Sequence, residues 1–234
     1  MNARAVLTPR LLQIGAFAAL FHCLLAIVLA VALPGPLNAA GPATGTIRIV
    51  AFGDSLTAGY RLPPRDAFPV KLEQALRARG LDVEIVNAGV SGDTTAAGLD
   101  RLDWAVPDGA HLVILELGAN DALRGLSPAV ARRNLEAIIK RIKAKGARVL
   151  LAGMRSPRNW GEDYVRQFDA IFPELAKAHG LPLYPFFLEG VALRQGFNLD
   201  DGMHPNARGV DVIVKGILPM VEKAVGELRA VGSK

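Results

Sequence analysis

Cysteine is almost missing from this chain of 234 residues: Cys23 stands alone, inside an apolar N-terminal run. A product cleaved after that run has no thiol and cannot form a disulfide, which an oxidising compartment permits but does not require. Phe21-His22 precede Cys23 where small residues would precede a lipid-modified cysteine, so a lipoprotein site is not expected. Acidic residues are absent from the N-terminal segment, which carries Arg4 and Arg10. The formal charge of +5 therefore overstates the basic character of the rest, which is about +3 without those two. No Lys/Arg cluster is interleaved with aromatics, and nucleic acid is not an expected partner. Internal repeats, low-complexity runs after the connector and a second domain are also absent. About half the residues are apolar, enough for one sizeable core.

Residues 11–33 are almost wholly apolar, end at Pro34-Gly35-Pro36 and are followed by the small residues Ala39, Ala40 and Gly41. This reads as a secretory signal. The run is also close to the roughly 20 residues that span a bilayer, so an uncleaved anchor is the rival reading. Gln13, Gly15 and His22 interrupt its first half and leave 24–33 as the unbroken core, which favours cleavage near Ala39 or Ala40. Both cuts are imperfect, with Leu37 or Asn38 three residues before them. The expected location is periplasmic or secreted, the alternative being the inner membrane through residues 11–33. Residues 1–40 are thus a signal peptide or anchor, and 45–230 form one domain.

Beyond a connector rich in Gly, Pro, Ala and Thr, strand-like and helix-like stretches alternate, the pattern of an α/β fold with a parallel sheet covered on both faces. The strand candidates are 47–52, 83–86, 112–117, 148–151 and 181–184. Continuous apolar runs such as Leu112-Val113-Ile114-Leu115 fit strands buried on both sides. Helices are predicted over 68–79, 128–145, 164–178 and 207–228. In the second, Ser127 is placed to cap, Pro128 takes the first helical position, and Gly146 lies just past the end. Ligands of such sheets bind beyond the carboxyl ends of the strands.

Three polar blocks follow the first three strands there, and a fourth lies near the C-terminus. In Gly53-Asp54-Ser55-Leu56-Thr57 a tight turn presents Ser55; a helix cap or phosphate-binding turn would use the same residue types. The Gly-x-Ser-x-Gly elbow of α/β-hydrolases is missing from the chain, which argues against that family but not against a serine nucleophile. A serine hydroxyl needs a base, normally a histidine oriented by a carboxylate. His111 precedes a strand, and His179 ends a helix beside Gly180, where a helix dipole explains it. His204 lies in Asp201-Gly202-Met203-His204-Pro205, and a turn can bring the Asp201 carboxylate to its ring; Asp200 competes for that role. Oxyanion donors are available from the Ser55 N–H, the Gly92 N–H in Gly89-Val90-Ser91-Gly92-Asp93, and the Asn120 amide in Gly118-Ala119-Asn120-Asp121. Each block alone is as well explained by turns and caps. Together they supply a nucleophile, an acid-base pair and donors for acyl transfer.

The blocks resemble those of the GDSL, or SGNH, hydrolases, named for a serine, glycine, asparagine and histidine that Ser55, Gly92, Asn120 and His204 match. Over 47–218 the chain is similar to the bacterial thioesterase, lysophospholipase and arylesterase subgroup. The resemblance is carried by Ile49-Val50-Ala51-Phe52-Gly53-Asp54-Ser55-Leu56-Thr57-Ala58-Gly59-Tyr60, Val86-Asn87-Ala88-Gly89-Val90-Ser91-Gly92-Asp93-Thr94-Thr95 and Glu116-Leu117-Gly118-Ala119-Asn120-Asp121-Ala122-Leu123-Arg124-Gly125. Pro185-Phe186-Phe187-Leu188-Glu189 and Asp200-Asp201-Gly202-Met203-His204-Pro205-Asn206 add to it. It implies a three-layer α/β/α sandwich, flavodoxin-like, on a five-stranded parallel sheet. It further implies that Ser55 attacks, His204 is base and then acid, Asp201 orients it, and Ser55, Gly92 and Asn120 form the oxyanion hole. Asp54, Ala119, Pro157 and Trp160 are expected at the substrate, although Arg155-Ser156-Pro157-Arg158-Asn159-Trp160-Gly161 reads equally well as a surface loop. Ala119 departs from the family, which often has glycine there. The expected reaction is hydrolysis of small esters, acyl thioesters or lysophospholipids by a monomer, without metal or organic cofactor. A carbohydrate-ester deacetylase on the same scaffold and a membrane-anchored binding module are the alternatives.

Overall fold

The structure is a computed structural model that describes residues 45–232. The N-terminal run and Cys23 lie outside the described residues. Among those described, no helix is long and apolar enough to cross a membrane.

Five parallel strands form one sheet: β1 (Ile47–Gly53), β2 (Val83–Gly89), β3 (Leu112–Glu116), β4 (Arg148–Ala152) and β5 (Leu183–Tyr184), in the order β2-β1-β3-β4-β5. This is the doubly wound flavodoxin-like order, whose direction reverses between β1 and β3. β3 is buried along its whole length, as its unbroken apolar run predicts. Edge strand β2 is buried only at Val83 and Ile85 and runs past its predicted end through Asn87–Gly89, polar and small residues that carry no strand signal. In register, Gly53 lies between Gly89 of β2 and Glu116 of β3, so three loops leave the sheet at one level.

The helices are α1 (Ser55–Ala58), α2 (Phe68–Arg77), α3 (Thr95–Ala105), α4 (Ala119–Leu123), α5 (Pro128–Ala144), α6 (Glu162–Asp169), α7 (Ile171–His179) and α8 (Ala207–Gly232). They lie on both sides of the sheet, α2 packing with α8 while α3, α6 and α7 pack with α5. Phe52, Phe68, Phe168, Phe172 and Phe187 are the largest fully buried side chains of the core between them.

Two expectations need correction, and one helix has no counterpart among the predicted elements. The helix read over 164–178 is two, because Pro173 has no N–H and its ring clashes with the carbonyl of the preceding turn, which breaks the chain at Ala170. Ser127 stands at the N-cap of α5 but its side chain makes no capping bond. Helix α3 gives no periodic signal because its sequence, Thr-Ala-Ala-Gly-Leu-Asp-Arg-Leu-Asp-Trp-Ala, has a weak apolar stripe. It packs instead by close approach: a Cβ on Gly98 would lie 2.4 Å from Leu117 Cδ1.

Candidate active site

Ser55 is set by the end of β1. A Cβ on Gly53 would fall 2.1 Å from Thr57 Oγ1 and 2.6 Å from the Glu116 carbonyl, so only glycine lets the turn close against β3. Asp54 caps α1, its Oδ1 accepting the Leu56 N–H at 3.0 Å. That leaves Ser55 at the first helical position, where a backbone N–H has no acceptor within the helix.

His204 reaches this turn from the other end of the chain. Its Nε2 is 3.0 Å from Ser55 Oγ and its Nδ1 is 2.8 Å from Asp201 Oδ2. Asp201, not the adjacent Asp200, is the ring's partner. Asp201 Oδ1 also accepts the Met203 and His204 backbone N–H groups at 2.9 and 3.0 Å. Those bonds, the one from the His204 N–H foremost, hold the Asp201 carboxyl down at about 2. An ionised Asp201 can only accept, so the ring proton belongs on Nδ1 and Nε2 is left to accept from the Ser55 hydroxyl. The Tyr60 ring flanks the imidazole with centroids 4.5 Å apart. Asn206 ties the loop down: its amide donates to the Gly196 and Asn198 carbonyls at 3.1 Å, and its Oδ1 caps α8 by accepting the Arg208 and Gly209 N–H groups at 3.0 Å.

Asn120 links the other loops. It follows Gly118, whose φ of 118° favours glycine, and its Nδ2 donates to the Asp93 carbonyl at 2.9 Å and to Asp54 Oδ2 at 3.2 Å. Gly92 has φ 88° and almost open space where a Cβ would be, so backbone conformation rather than crowding calls for glycine. Its carbonyl accepts from Arg124 at 3.0 Å.

Beneath lies a buried set of charges that reading the blocks one by one does not reveal. Arg101 pairs with Asp93 at 2.5 Å, donates to the Gly53 carbonyl at 2.8 Å and covers the Phe52 ring at 4.3 Å. Asp121 accepts the Thr95 N–H and hydroxyl at 2.8 and 2.7 Å, fastening α3 to the third block. Glu116 Oε2 accepts from the Thr57 hydroxyl at 2.8 Å and the Asp54 N–H at 3.3 Å, while its Oε1 is buried without a hydrogen-bond partner. Burial, above all, pushes the Asp54 carboxyl up to about 6 and Glu116 well above the usual carboxylate range, the Asp54 charge raising Glu116 further. Among the described residues the two other histidines have structural places: His111 Nδ1 accepts the Arg48 N–H at 2.9 Å, and His179 ends α7 within 3.5 Å of Glu136.

A cleft of ≈ 680 Å³ opens over Ser55, Asn120 and His204, walled by apolar side chains including Leu123, Met154, Phe186 and Leu188. Ala119 and Pro157 line it. Asp54 and Trp160 do not. Asp54 turns inward to cap α1 and hold Asn120. Trp160 packs over Gly125, its ring 2.8 Å from where a Cβ would be, and beside Tyr164. Arg155 and Arg158, from the same loop as Pro157, also line the cleft. Among the described residues no cluster of three or more His, Cys, Asp or Glu side chains is arranged to hold a metal ion.

A parallel sheet in this order, with a hydrogen-bonded serine, histidine and aspartate at its carboxyl edge, defines an α/β/α hydrolase. The chain belongs to the GDSL-like lipase/acylhydrolase family, whose model matches residues 51–212. It is 44% identical over 162 residues to the arylesterase of Vibrio mimicus, covering 68% of this chain and 80% of that one. It is 39% identical over 178 residues to thioesterase 1/protease 1/lysophospholipase L1 of Escherichia coli strain K12, covering 74% and 84%. Among solved structures TesA superimposes with a TM-score of 0.72 at 35% identity, over 76% of this chain and 99% of that one. The protein is a serine esterase, a hydrolase acting on ester bonds.

Proposed function

We propose that Ser55 is the nucleophile, His204 the general base and then acid, and Asp201 the group that orients it. The single observation behind this reading is the unbroken contact from Ser55 Oγ through the His204 ring to Asp201, at 3.0 and 2.8 Å. As Ser55 Oγ attacks the acyl carbon, its proton passes to His204 Nε2, and the imidazolium is stabilised by the ionised Asp201. The carbonyl oxygen gains negative charge, which the Ser55 N–H, the Gly92 N–H and the Asn120 amide meet. Asn120 is already aimed by its bond to the Asp93 carbonyl, and its contact with Asp54 is the one that an oxyanion displaces. His204 then protonates the departing alkoxide or thiolate and activates the water that releases the acid.

The substrates are carboxylic esters with an acyl chain, extending to acyl thioesters and lysophospholipids. An apolar cleft of ≈ 680 Å³ supports this over an acetyl-only deacetylase, and the names of the arylesterase and thioesterase relatives accord with it. Residues 1–40 direct export and 45–230 act as a monomeric hydrolase in the periplasm or outside the cell.

Ser55→Ala tests the nucleophile. Hydrolysis of p-nitrophenyl butyrate by the purified variant is expected to fall at least ~10³-fold, with folding unchanged by circular dichroism. Undiminished turnover would remove Ser55 from the mechanism, and a strict acetyl preference across an acyl-length series would favour the deacetylase.

A further inference from the structure

The cleft over Ser55 carries permanent charge of one sign. Among the described residues that line it, Arg155 and Arg158 are the only ones with a fixed charge, and no Asp or Glu is included. Both stand on the loop after β4, and that loop is pinned: the Ser156 N–H donates to Asp169 Oδ1 at 2.8 Å. Arg155 lies across the Phe186 ring, 4.7 Å from its centroid, and its acidic neighbour Glu189 is 4.0 Å away. Arg158 is 3.4 Å from Asp169 Oδ2. Neither acid reaches the cleft, and both guanidinium groups are substantially exposed. A wall with two guanidiniums facing an otherwise apolar and neutral cleft suits an amphiphile with an anion beyond its scissile bond. Guanidinium forks bind phosphate bidentately and keep their charge at every physiological pH.

We propose that Arg155 and Arg158 form a phosphate-recognition site for the leaving group, selecting acyl esters and thioesters whose alcohol or thiol carries a phosphate. This rests on the reading that Ser55 attacks the acyl carbon in this cleft. The phosphate has two possible sources, a glycerophosphate headgroup and a phosphorylated thiol carrier. In either case the acyl chain lies along the apolar walls and the leaving group emerges past the arginines.

Two matched pairs test it with the purified enzyme: decanoyl-coenzyme A against the neutral decanoyl-N-acetylcysteamine thioester, and decanoyl lysophosphatidic acid against monodecanoylglycerol. The quantity read is the ratio of kcat/KM, phosphorylated over neutral. Replacing both arginines by glutamine is expected to lower that ratio at least about tenfold, chiefly through KM. Raising salt from about 50 to about 500 mM is expected to lower it in the wild type and much less in the double variant. A fall confined to one pair keeps the assignment and names the source of the phosphate. A ratio that the double substitution leaves unchanged in both pairs overturns it. Ser55→Ala on the two neutral substrates keeps the questions apart: retained turnover there refutes the nucleophile, whereas an unchanged ratio with a dead Ser55→Ala refutes only the phosphate site.

Discussion

The two halves of the site are supported in opposite ways. Ser55 and Asn120 stand over buried ionisable side chains, with Asp93 paired to Arg101 and Asp54 crowded against Glu116. Asp201 and His204 stand on a partly exposed loop, fixed by local turns and by Asn206. Holding Ser55 and Asn120 against the sheet needs long-range polar contacts in low dielectric, which cost desolvation free energy. Holding the imidazole needs only a short turn with an acceptor for its own amides. Function and stability should therefore separate along this line.

Asp201→Asn gives the largest expected effect. Asn Oδ1 can still accept the Met203 and His204 N–H groups, but an amide in place of Oδ2 cannot accept from Nδ1–H, so the ring adopts the wrong tautomer. A fall in kcat of roughly 10³–10⁴ is expected, with stability in urea lowered by less than about 1 kcal/mol. Arg101→Met should do the reverse, losing about 3–5 kcal/mol by stranding Asp93 without its cation. A loss below about 1 kcal/mol in urea unfolding would erase the contrast.

The smallest and sharpest contrast lies in pH. Asp54 binds its proton more tightly folded than unfolded, at about 6 against an ordinary 3.8. Across that window the native state holds more protons, so this group makes stability fall as pH rises. Asp201 has the opposite sign: with its carboxyl at about 2, its contribution is present above 3.8 and lost as pH falls towards 2. Asp54→Asn removes the Asp54 titration altogether, and urea unfolding between pH 4 and 8 should show a shallower decline than wild type. An unaltered slope would mean that Asp54 binds its proton alike in the folded and unfolded chain.

The same division explains what was legible in the sequence. Ser55, Gly92, Asn120 and the Asp201–His204 pair stand out because acyl-transfer chemistry demands particular residue types in short blocks after strands. Arg101 and Glu116 serve partners 48 and 62 positions away, and no local pattern announces them. Trp160 misled because a tryptophan in a loop beside a cleft suggests substrate contact, whereas a glycine at 125 gives the indole a seat elsewhere. The parallel sheet was readable from its apolar runs, while α3 was not, since glycine-mediated packing leaves little periodicity.

One side chain, Asn206, both starts the C-terminal helix and anchors the loop that carries the imidazole. Fraying of that helix at its first turn and withdrawal of the His204 ring from Ser55 should thus be a single opening event. Its free energy is bounded by local rather than global unfolding. Mild denaturant should silence turnover while the strands remain protected from hydrogen exchange.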